Sequence, residues 1–332
     1  MSILITGGAG YIGSHMAHRL VEAGEDIVVL DNLITGVEKN LPRNVTFIRG
    51  DIADQALVSR LVETHKIDSV IHFAGSVVVP ESVEKPLDYY ANNTAAARTL
   101  IEVCVRHGVP NFLFSSTAAV YGSPPVIPVS EEGPMAPLSP YGRSKLMTEW
   151  ILQDAAAAHG IKFGILRYFN VAGADPLGRT GQSTPRATHL IKRACQVATG
   201  QASHLTIFGT DYDTPDGTGV RDYIHVSDLV DIHECVLAYL RDKGQSILLN
   251  CGYGRGFSVR QVAAAVQRIS GQALKIELAP RRPGDLAIVV ADTAKLSEVL
   301  NWKPRHGDLD TIVTTALNWE QRLKGELGAS QA

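Results

Sequence analysis

In residues 3–13, ILITGGAGYIG, a short apolar run leads into a glycine-rich turn, and a helical pattern follows to about residue 23. This order of strand, turn and helix is typical of a dinucleotide-binding fold, because N–H groups at the helix N-terminus face the pyrophosphate. Glycines let the backbone approach the phosphates, which a side chain would prevent. Gly7, Gly10 and Gly13 fit one spacing of this motif, and Gly8, Gly10 and Gly13 fit another.

The next apolar run, residues 27–30, ends at Asp31. A carboxylate at this position accepts hydrogen bonds from the adenosine ribose and repels a 2′-phosphate, so the sequence predicts NAD rather than NADP as the cofactor. Taken alone, each feature has a simpler interpretation, namely a plain glycine turn and a solvated acid at a strand end. The occurrence of both features at these positions along the chain favours a cofactor site.

Short apolar runs alternate with helical patterns over the first half of the chain. Strands are predicted at residues 3–5, 27–30, 45–48, 70–73, 112–114 and 163–166, and helices near 11–23, 54–65, 86–107 and 141–158. Strands without polar–apolar alternation are typical of a parallel sheet that helices cover on both faces. The sequence therefore predicts an α/β fold with a doubly wound parallel sheet of the Rossmann type.

After about residue 170 the pattern becomes looser. Loops are predicted at 173–186 and 209–219, helices near 187–199, 227–242 and 258–270, and a strand near 247–250. We expect a smaller C-terminal α/β domain that binds the substrate. In this interpretation residues 1–170 form the NAD-binding domain and residues 171–332 form mainly the substrate domain, with the chain crossing between the two.

The composition argues against several classes of protein. The formal net charge of the 332 residues is −3 at pH 7, which indicates neither a nucleic-acid partner nor a membrane-surface partner. No apolar run approaches the roughly 18 residues of a membrane span, and we recognise no signal peptide. The four cysteines, at positions 104, 195, 235 and 251, form no CxxC pair. We therefore expect a cytoplasmic protein without a disulfide framework or a metal site.

The segment from Ser139 to Lys145 carries two of the residues that we predict to be catalytic. Ser139 can cap a helix that Pro140 begins, so Tyr141 and Lys145 lie one turn apart on the same face. A nearby ammonium favours the phenolate form of a tyrosine, so we expect Lys145 to lower the pKa of Tyr141. The phenolate can then take a proton from an alcohol while hydride leaves the same carbon.

A polar strand end supports this interpretation. The strand near 112–114 runs into Ser115-Ser116-Thr117, and the Thr117 hydroxyl can bond the reacting oxygen and carry a proton between it and Tyr141. In isolation, Tyr141 and Lys145 would be an ordinary pair on a helix surface, and Thr117 an ordinary strand cap. Their occurrence downstream of the nucleotide-binding turn favours catalysis.

With further motifs, these segments resemble the extended short-chain dehydrogenase/reductase family, and within it the UDP-glucose (UDP-galactose) 4-epimerases. The resemblance extends from residue 1 to about residue 320. Its motifs are Thr6–Gly13 with Ser14-His15, Asp31-Asn32-Leu33, Gly50-Asp51-Ile52, His72-Phe73-Ala74-Gly75, Tyr89 to Asn93, Ser139–Lys145, Leu166-Arg167-Tyr168-Phe169-Asn170, Gly217 to His225, Ala279-Pro280-Arg281-Arg282 and Gly284-Asp285-Leu286.

The resemblance implies a role for each matching residue. Thr117, Tyr141 and Lys145 would be catalytic. The NAD site would comprise Gly7, Gly10, Tyr11, Ile12, Gly13, Asp31, Asn32, Asp51, Ile52, Phe73, Ala74, Gly75, Asn92, Tyr168 and Phe169. The UDP-sugar would be held by Asn170, His189, Phe208, Arg221, Arg282 and Asp285. Of these, the two arginines would clamp the phosphates, and Phe208 would border the uracil.

Simpler interpretations exist for the substrate residues. Phe208 would otherwise be ordinary core packing, and Arg221 would form an ion pair with its neighbour Asp222. Arg281 and Arg282 would be a solvated pair of charges.

The implied activity is that of an isomerase that inverts C4 of a UDP-hexose. Tyr141 would remove the 4-hydroxyl proton while hydride passes to NAD, and the 4-keto sugar would turn about its diphosphate before hydride returns to its other face. Alternatives are a nucleotide-sugar 4,6-dehydratase or decarboxylase of the same fold, or a non-catalytic NAD-binding sensor. Ala118-Ala119 argues against a dehydratase, in which an Asp-Glu pair often follows the active-site hydroxyl.

Three positions depart from the pattern of some relatives. Val77 replaces a lysine near the cofactor phosphates, Thr117 replaces a serine, and Val289 replaces a bulky tyrosine in the hexose pocket. We expect Val289 to leave room for an N-acetyl group, so that UDP-N-acetylhexosamines also become substrates. Helices near 91–107 and 141–158 are expected to pair in a homodimer.

Overall fold

A computed structural model describes residues 1–184, 187–282 and 284–329. Its strands are β1 (Ser2–Thr6), β2 (Ile27–Asp31), β3 (Thr46–Arg49), β4 (Ile67–His72), β5 (Asn111–Thr117), β6 (Lys162–Tyr168), β7 (Asn170–Ala172), β8 (Leu205–Phe208), β9 (Val220–His225), β10 (Ile247–Cys251), β11 (Gly256–Ser258), β12 (Ile276–Ala279) and β13 (Ile288–Val289). Its α-helices are α1 (Tyr11–Glu22), α2 (Gln55–His65), α3 (Val79–Glu84), α4 (Pro86–Tyr89), α5 (Ala96–Arg106), α6 (Pro140–His159), α7 (Leu190–Ala198), α8 (Val226–Lys243), α9 (Val259–Ser270), α10 (Ala294–Leu300) and α11 (Leu309–Ala329).

Seven strands form one parallel sheet in the order β10-β6-β5-β4-β1-β2-β3. One face of the sheet packs against α1, α8 and α10, through side chains such as Met16, Leu229 and Leu296. The other face packs against α2, α5 and α6, through side chains such as Val58 and Leu100. Because helices cover both faces, the strands are mainly apolar and do not alternate between polar and apolar residues. The predicted doubly wound α/β fold is confirmed.

The remaining strands build smaller sheets. In one of them β9 lies between β11 and β13 and also pairs with β7, while β8 and β12 form a separate parallel pair. Helices α7, α9 and α11 share an apolar core beside these strands, which includes Ile191, Val262 and Ile312. Strand β10 lies far along the chain, yet it pairs with β6 of the large sheet.

The division at residue 170 stays a prediction. Three parts of the predicted substrate domain lie outside the described residues, namely 185–186 of the predicted loop, residue 283 and 330–332 at the chain end.

The helix predicted over 86–107 is not one regular α-helix. A π-helical turn, Tyr90–Ala95, separates α4 from α5. A π turn adds one residue to a single turn, which changes the apolar pattern too little for a sequence to reveal it. Such turns occur mostly at functional sites, and this one faces α6.

Helix α6 begins and ends as its sequence predicts. The Ser139 hydroxyl accepts a hydrogen bond from the Gly142 N–H at 3.1 Å, and Pro140 occupies the first turn. At the other end Gly160 adopts a φ of 75°, which terminates the helix in a left-handed conformation.

No helix in the described part of the chain combines the length and the apolar character that crossing a bilayer requires.

Four histidines are buried in the described part of the chain. Burial lowers the pKa of His15 and His233 to about 4 and that of His72 and His225 to about 3. His72 contacts Thr6 through Nδ1 at 2.7 Å and stacks on the Phe114 ring. These imidazoles are neutral in the folded protein at pH values where the unfolded chain carries imidazolium.

We expect the free energy of unfolding to fall as the pH decreases below about 6.5, because the unfolded chain then binds protons that the folded chain does not. Near pH 5, His72→Asn should reduce this dependence by about 1.4 kcal/mol per pH unit. The control His159→Asn, at the exposed end of α6, should leave it unchanged. Urea unfolding at several pH values between 5 and 7 measures how the free energy of unfolding depends on pH. An equal dependence in His72→Asn and His159→Asn would contradict the prediction.

Candidate active site

The glycine-rich turn lies between β1 and α1, where the carboxyl ends of the parallel strands meet. Gly7 has a φ of 68°, and a Cβ atom there would lie 2.5 Å from the Ala74 nitrogen. A side chain at Gly13 would collide with the Gly7 carbonyl. Gly10 precedes α1, whose first turn has no capping side chain and no acidic residue. Its N–H groups therefore fit a phosphate anion, as an NAD pyrophosphate requires.

Asp31 joins the end of β2 to this turn. Its carboxylate is buried and accepts hydrogen bonds from the Ala9 N–H at 2.9 Å and the Leu33 N–H at 2.8 Å. Burial raises the pKa of Asp31, although the two N–H groups act in the opposite direction. Nearby, the Asn32 amide donates to Asp51 at 3.0 Å. The residues predicted to hold the adenosine half are thus neighbours at one end of the sheet.

The other predicted cofactor residues are spread over several elements. Tyr11 and Ile12 begin α1, and the Tyr11 hydroxyl donates to the Gly173 carbonyl at 2.6 Å. Ile52 is buried after β3. Phe73, Ala74 and Gly75 follow β4, and the Asn92 amide donates to the Ser76 hydroxyl at 2.9 Å beside them.

Lys145 is buried at the carboxyl end of β5. Its ammonium donates to the Ser115 carbonyl at 2.9 Å and lies 5.0 Å from the centre of the Phe114 ring. Burial lowers the pKa of Lys145 to about 8, against the opposing influence of Glu149. Thr117 is two residues beyond Ser115, so both side chains face the same side of the sheet.

Tyr141 lies one helical turn before Lys145, and its hydroxyl lies near that of Thr117. The structure therefore brings the three predicted catalytic residues together. The predicted lowering of the Tyr141 pKa is wrong for this structure. Burial raises that pKa, and the nearby Thr117 hydroxyl only partly offsets the increase. The ammonium of Lys145 is instead directed at a carbonyl of β5.

Tyr168 and Phe169 end β6 at the same edge. The Tyr168 hydroxyl bonds Nε2 of His233, and Nδ1 of His233 lies 2.8 Å from the Leu229 carbonyl. A carbonyl can only accept, so Nδ1 carries the proton and Nε2 accepts from Tyr168. His233 also packs on Phe73, with 5.0 Å between the ring centres. The sequence did not single out His233, because it comes from distant α8.

Among the predicted substrate residues, Asn170, Arg221 and Val289 meet on the small sheet. Asn170 pairs with Tyr223 of β9, and Arg221 of the same strand pairs with Val289 of β13. His189 immediately precedes α7 and contacts Gln182 at 3.2 Å. A cavity of about 40 Å³ is lined by Tyr11, Asn170 and His189, among others.

Asp222 does not pair with Arg221, contrary to the simpler interpretation. Successive residues of a strand face opposite sides, and Asp222 is buried. It accepts hydrogen bonds from the N–H groups of Tyr253 and Gly254, each at 2.9 Å. Arg221 itself donates to the Val220 carbonyl at 2.9 Å.

Phe208, Arg282 and Asp285 form a group of their own. The Arg282 guanidinium lies 4.5 Å from the centre of the Phe208 ring, and its Nε donates to Asp285 at 3.0 Å. Arg281 similarly covers Tyr212 and pairs with Asp211. The two arginines are therefore not a simple solvated pair. No hydrogen bond within the described residues joins this group to Asn170 or His189.

A buried ion pair supports the catalytic helix. Arg167 donates to Glu149 through Nε at 3.1 Å and through Nη2 at 2.7 Å. Arg167 also donates to the Tyr121 hydroxyl at 2.9 Å. The sequence analysis missed Glu149, although it lies one turn beyond Lys145 on the face of α6 that Tyr141 shares.

Comparison with known proteins places this geometry in a family. Residues 3–252 match the profile of the NAD dependent epimerase/dehydratase family. A UDP-glucose 4-epimerase of Azospirillum brasilense is 55% identical over 99% of this chain and 95% of its own length. A crystal structure of UDP-glucose 4-epimerase from Bifidobacterium longum with NAD+ and UDP is 39% identical, covers 97% of this chain and 98% of its own, and superposes with a TM-score of 0.91.

A UDP-Glc/GlcNAc 4-epimerase of Campylobacter jejuni is also similar. It is 46% identical, covers 97% of this chain and 99% of its own, and superposes with a TM-score of 0.84. The family profile covers the glycine-rich turn and the Tyr141–Lys145 helix, and these relatives, which match 97–99% of the chain, cover the small sheet as well. The chain belongs to the NAD dependent epimerase/dehydratase family.

Proposed function

We infer that the chain is an NAD-dependent UDP-glucose 4-epimerase, which interconverts UDP-glucose and UDP-galactose. The observation that carries this conclusion is the convergence of Thr117, Tyr141 and Lys145 at the carboxyl edge of the sheet, beside an uncapped helix N-terminus. The 55% identity to a UDP-glucose 4-epimerase over nearly the whole chain supports the substrate.

The residues of the chain then have distinct tasks. Bound NAD supplies a reversible hydride acceptor for C4 of the sugar. Tyr141 takes the proton of the 4-hydroxyl and returns it after the sugar has turned, and the nearby Thr117 hydroxyl can share that proton. Burial raises the pKa of Tyr141 and so disfavours the phenolate, whereas the positive charge of oxidised nicotinamide, when bound, would favour it.

The nucleotide requires a firm grip, because the 4-keto sugar turns while its diphosphate stays bound. Arg221 and Arg282 provide planar donors for phosphate oxygens, and Phe208 provides a flat surface for the uracil. Asn170 and His189 line the small cavity beside Tyr11, and we assign them to contacts with the diphosphate region. The remaining predicted residue, Asp285, orients Arg282 through their ion pair.

The rival activities have less support. Ala118 and Ala119 form a 3-10 turn directly after Thr117 and offer no acid for elimination of water. A sensor without catalysis would not require the buried Lys145 and its contact with β5, because burying an ammonium costs free energy.

Replacing Tyr141 by Phe should lower kcat for UDP-galactose by about 10²–10⁴-fold, because only the hydroxyl moves the proton. The content of bound NAD and the melting temperature should stay near those of the unaltered protein. Tyr239→Phe, which alters a hydroxyl bonded to Gln245 far from the site, is the matched control. A coupled assay of UDP-glucose formation measures kcat, and near-normal turnover of Tyr141→Phe would exclude it as the acid–base.

Val289 determines whether larger sugars fit. It is half-buried beside Phe169, and it is smaller than the tyrosine that some relatives have there, which would leave more room for an N-acetyl group. We expect turnover of UDP-N-acetylglucosamine, and Val289→Tyr should reduce it by about 10- to 200-fold. Turnover of UDP-glucose should change far less. Product analysis on both substrates tests this, and no turnover of UDP-N-acetylglucosamine by the unaltered protein would refute it.

We further propose a cytoplasmic homodimer that pairs through α5, α6 and the π-helical turn. On α6, Met147 and Trp150 are large apolar side chains exposed to solvent, at 38% and 49%. Ala91 and Ala95 are exposed on the π-helical turn that faces α6. Small residues beside large apolar ones allow two helix pairs to approach closely.

Trp150→Glu should convert the dimer to a monomer, because a charged group at the centre of an apolar interface loses its hydration. Leu177→Glu, at an exposed leucine elsewhere on the surface, should leave the dimer intact. Light scattering at micromolar concentration distinguishes the two states. A monomeric unaltered protein would rule out this assembly.

A further inference from the structure

The π-helical turn, Tyr90–Ala95, presents a buried asparagine whose contacts are not used in the mechanism above. Asn93 is 1% exposed, and its amide makes three hydrogen bonds to other side chains or backbone. A buried amide is expensive unless its donors and acceptor are all partnered. The partners of the Asn93 amide therefore indicate the role of this residue.

Two of these hydrogen bonds hold the loop that follows β4. Asn93 Oδ1 accepts from the Ser76 N–H at 2.7 Å, and Asn93 Nδ2 donates to the Ser76 carbonyl at 2.9 Å. A Cβ atom on Gly75 would lie 3.0 Å from Asn93 Oδ1 and 3.5 Å from Lys145 Nζ. Gly75 thus lies close to both Asn93 and the Lys145 ammonium.

The third hydrogen bond reaches the catalytic helix. Asn93 Nδ2 donates to the Ser144 hydroxyl at 3.1 Å, and that hydroxyl donates to the Tyr141 carbonyl at 2.8 Å. The backbone of Asn93 also accepts from the Thr148 hydroxyl at 3.0 Å. One side chain therefore connects the loop at Gly75 to the helix that carries Tyr141 and Lys145.

Only an amide satisfies these partners. Ser76 offers one N–H and one carbonyl, so the side chain must accept and donate at once. A carboxylate of the same size would face the Ser76 carbonyl with a second acceptor, and alanine would leave both Ser76 groups without partners. Within the described residues, the side chain of Asn92, the neighbour on the same turn, hydrogen-bonds the Ser76 hydroxyl alone.

We propose that Asn93 is a positioning residue that fixes the Gly75–Ser76 loop relative to Lys145 and Tyr141, and so couples retention of NAD to the catalytic pair. The part of this inference that concerns catalysis rests on the proposed function. The part that concerns the cofactor requires only that the protein binds NAD, which the family implies.

The test compares Asn93→Ala and Asn93→Asp with Thr148→Val in the full chain. Thr148→Val removes the bond to the Asn93 carbonyl, which joins the same two elements, but leaves the Asn93 amide in place. Two readouts are needed: the dissociation rate of NADH, from the loss of its fluorescence on dilution, and kcat and KM for UDP-glucose.

Both Asn93 variants should release NADH at least about tenfold faster and show kcat lowered by about 10- to 100-fold, with KM nearly unchanged, because a small misplacement of reacting groups is costly. Thr148→Val should match the unaltered protein in both readouts, even if its melting temperature falls as much as those of the Asn93 variants. The proposal is overturned if Asn93→Ala keeps the unaltered dissociation rate and kcat, or if Thr148→Val shows the same losses.

The proposed role of Asn93 predicts the direction in which NADH release from Asn93→Asp changes with pH, and a merely structural role does not. In Asn93→Asp, a protonated carboxyl can donate to the Ser76 carbonyl, whereas a carboxylate repels it. NADH release from this variant should therefore be slower at pH 5.5 than at pH 8, and release from Asn93→Ala should not show this difference. An identical pH dependence in both variants would contradict the assignment.

Two outcomes separate this inference from the proposed function. If the unaltered protein binds NADH but does not convert UDP-glucose, the proposed function fails, and the NADH dissociation rates still decide the role of Asn93. If Asn93→Ala does not fold, Ser144→Ala decides the case, because it removes only the link to the helix. It should then lower kcat more than it speeds NADH release, and an unaltered kcat would overturn the coupling.

Discussion

The active site depends on one constraint, which is that every polar group that helix α6 buries must find a partner. Ser144, Lys145, Thr148 and Glu149 all lie on its buried face, where an unpaired donor or charge would cost several kcal/mol. Each has a specific partner from another element: the Asn93 amide, the Ser115 carbonyl, the Asn93 carbonyl and the Arg167 guanidinium. A shift of the helix by one residue would separate all four, so the position of Tyr141 is fixed before any ligand binds.

Local signals in the sequence predicted the parts of the structure that depend on neighbouring residues. The turn at Gly7–Gly13, the acid after β2 and the serine cap of α6 each act within a few residues, and the structure has them where the pattern placed them. The apolar strands also predicted the doubly wound sheet, because only a covered parallel sheet tolerates such runs. The roles assigned to individual site residues stay predictions, although the structure brings many of them together.

The features that the sequence did not reveal depend on residues far apart in the chain. Glu149 meets Arg167 and Tyr168 meets His233 only after β6 has paired with β5 and α8 has covered the sheet. The pKa of Tyr141 was mispredicted for the same reason. A helix pattern shows that Lys145 is one turn away, but not that its ammonium is directed at Ser115 or that burial dominates. The π-helical turn alters the spacing by a single residue, which leaves no periodic signal.

The same logic explains how one small sheet can hold a nucleotide firmly and a sugar loosely, as the proposed reaction requires. On β9, Asp222 is buried and binds the backbone at Tyr253 and Gly254, directly after β10 of the large sheet. The Asp222 carboxylate therefore holds β9 next to the large sheet, and the adjacent Arg221 lies on a rigid backbone. On the hexose side that we propose, Val289 would offer contact without directed hydrogen bonds. Such an apolar wall would exclude water yet give no preference to either face of a 4-keto sugar, so rotation would cost little while the diphosphate stays bound.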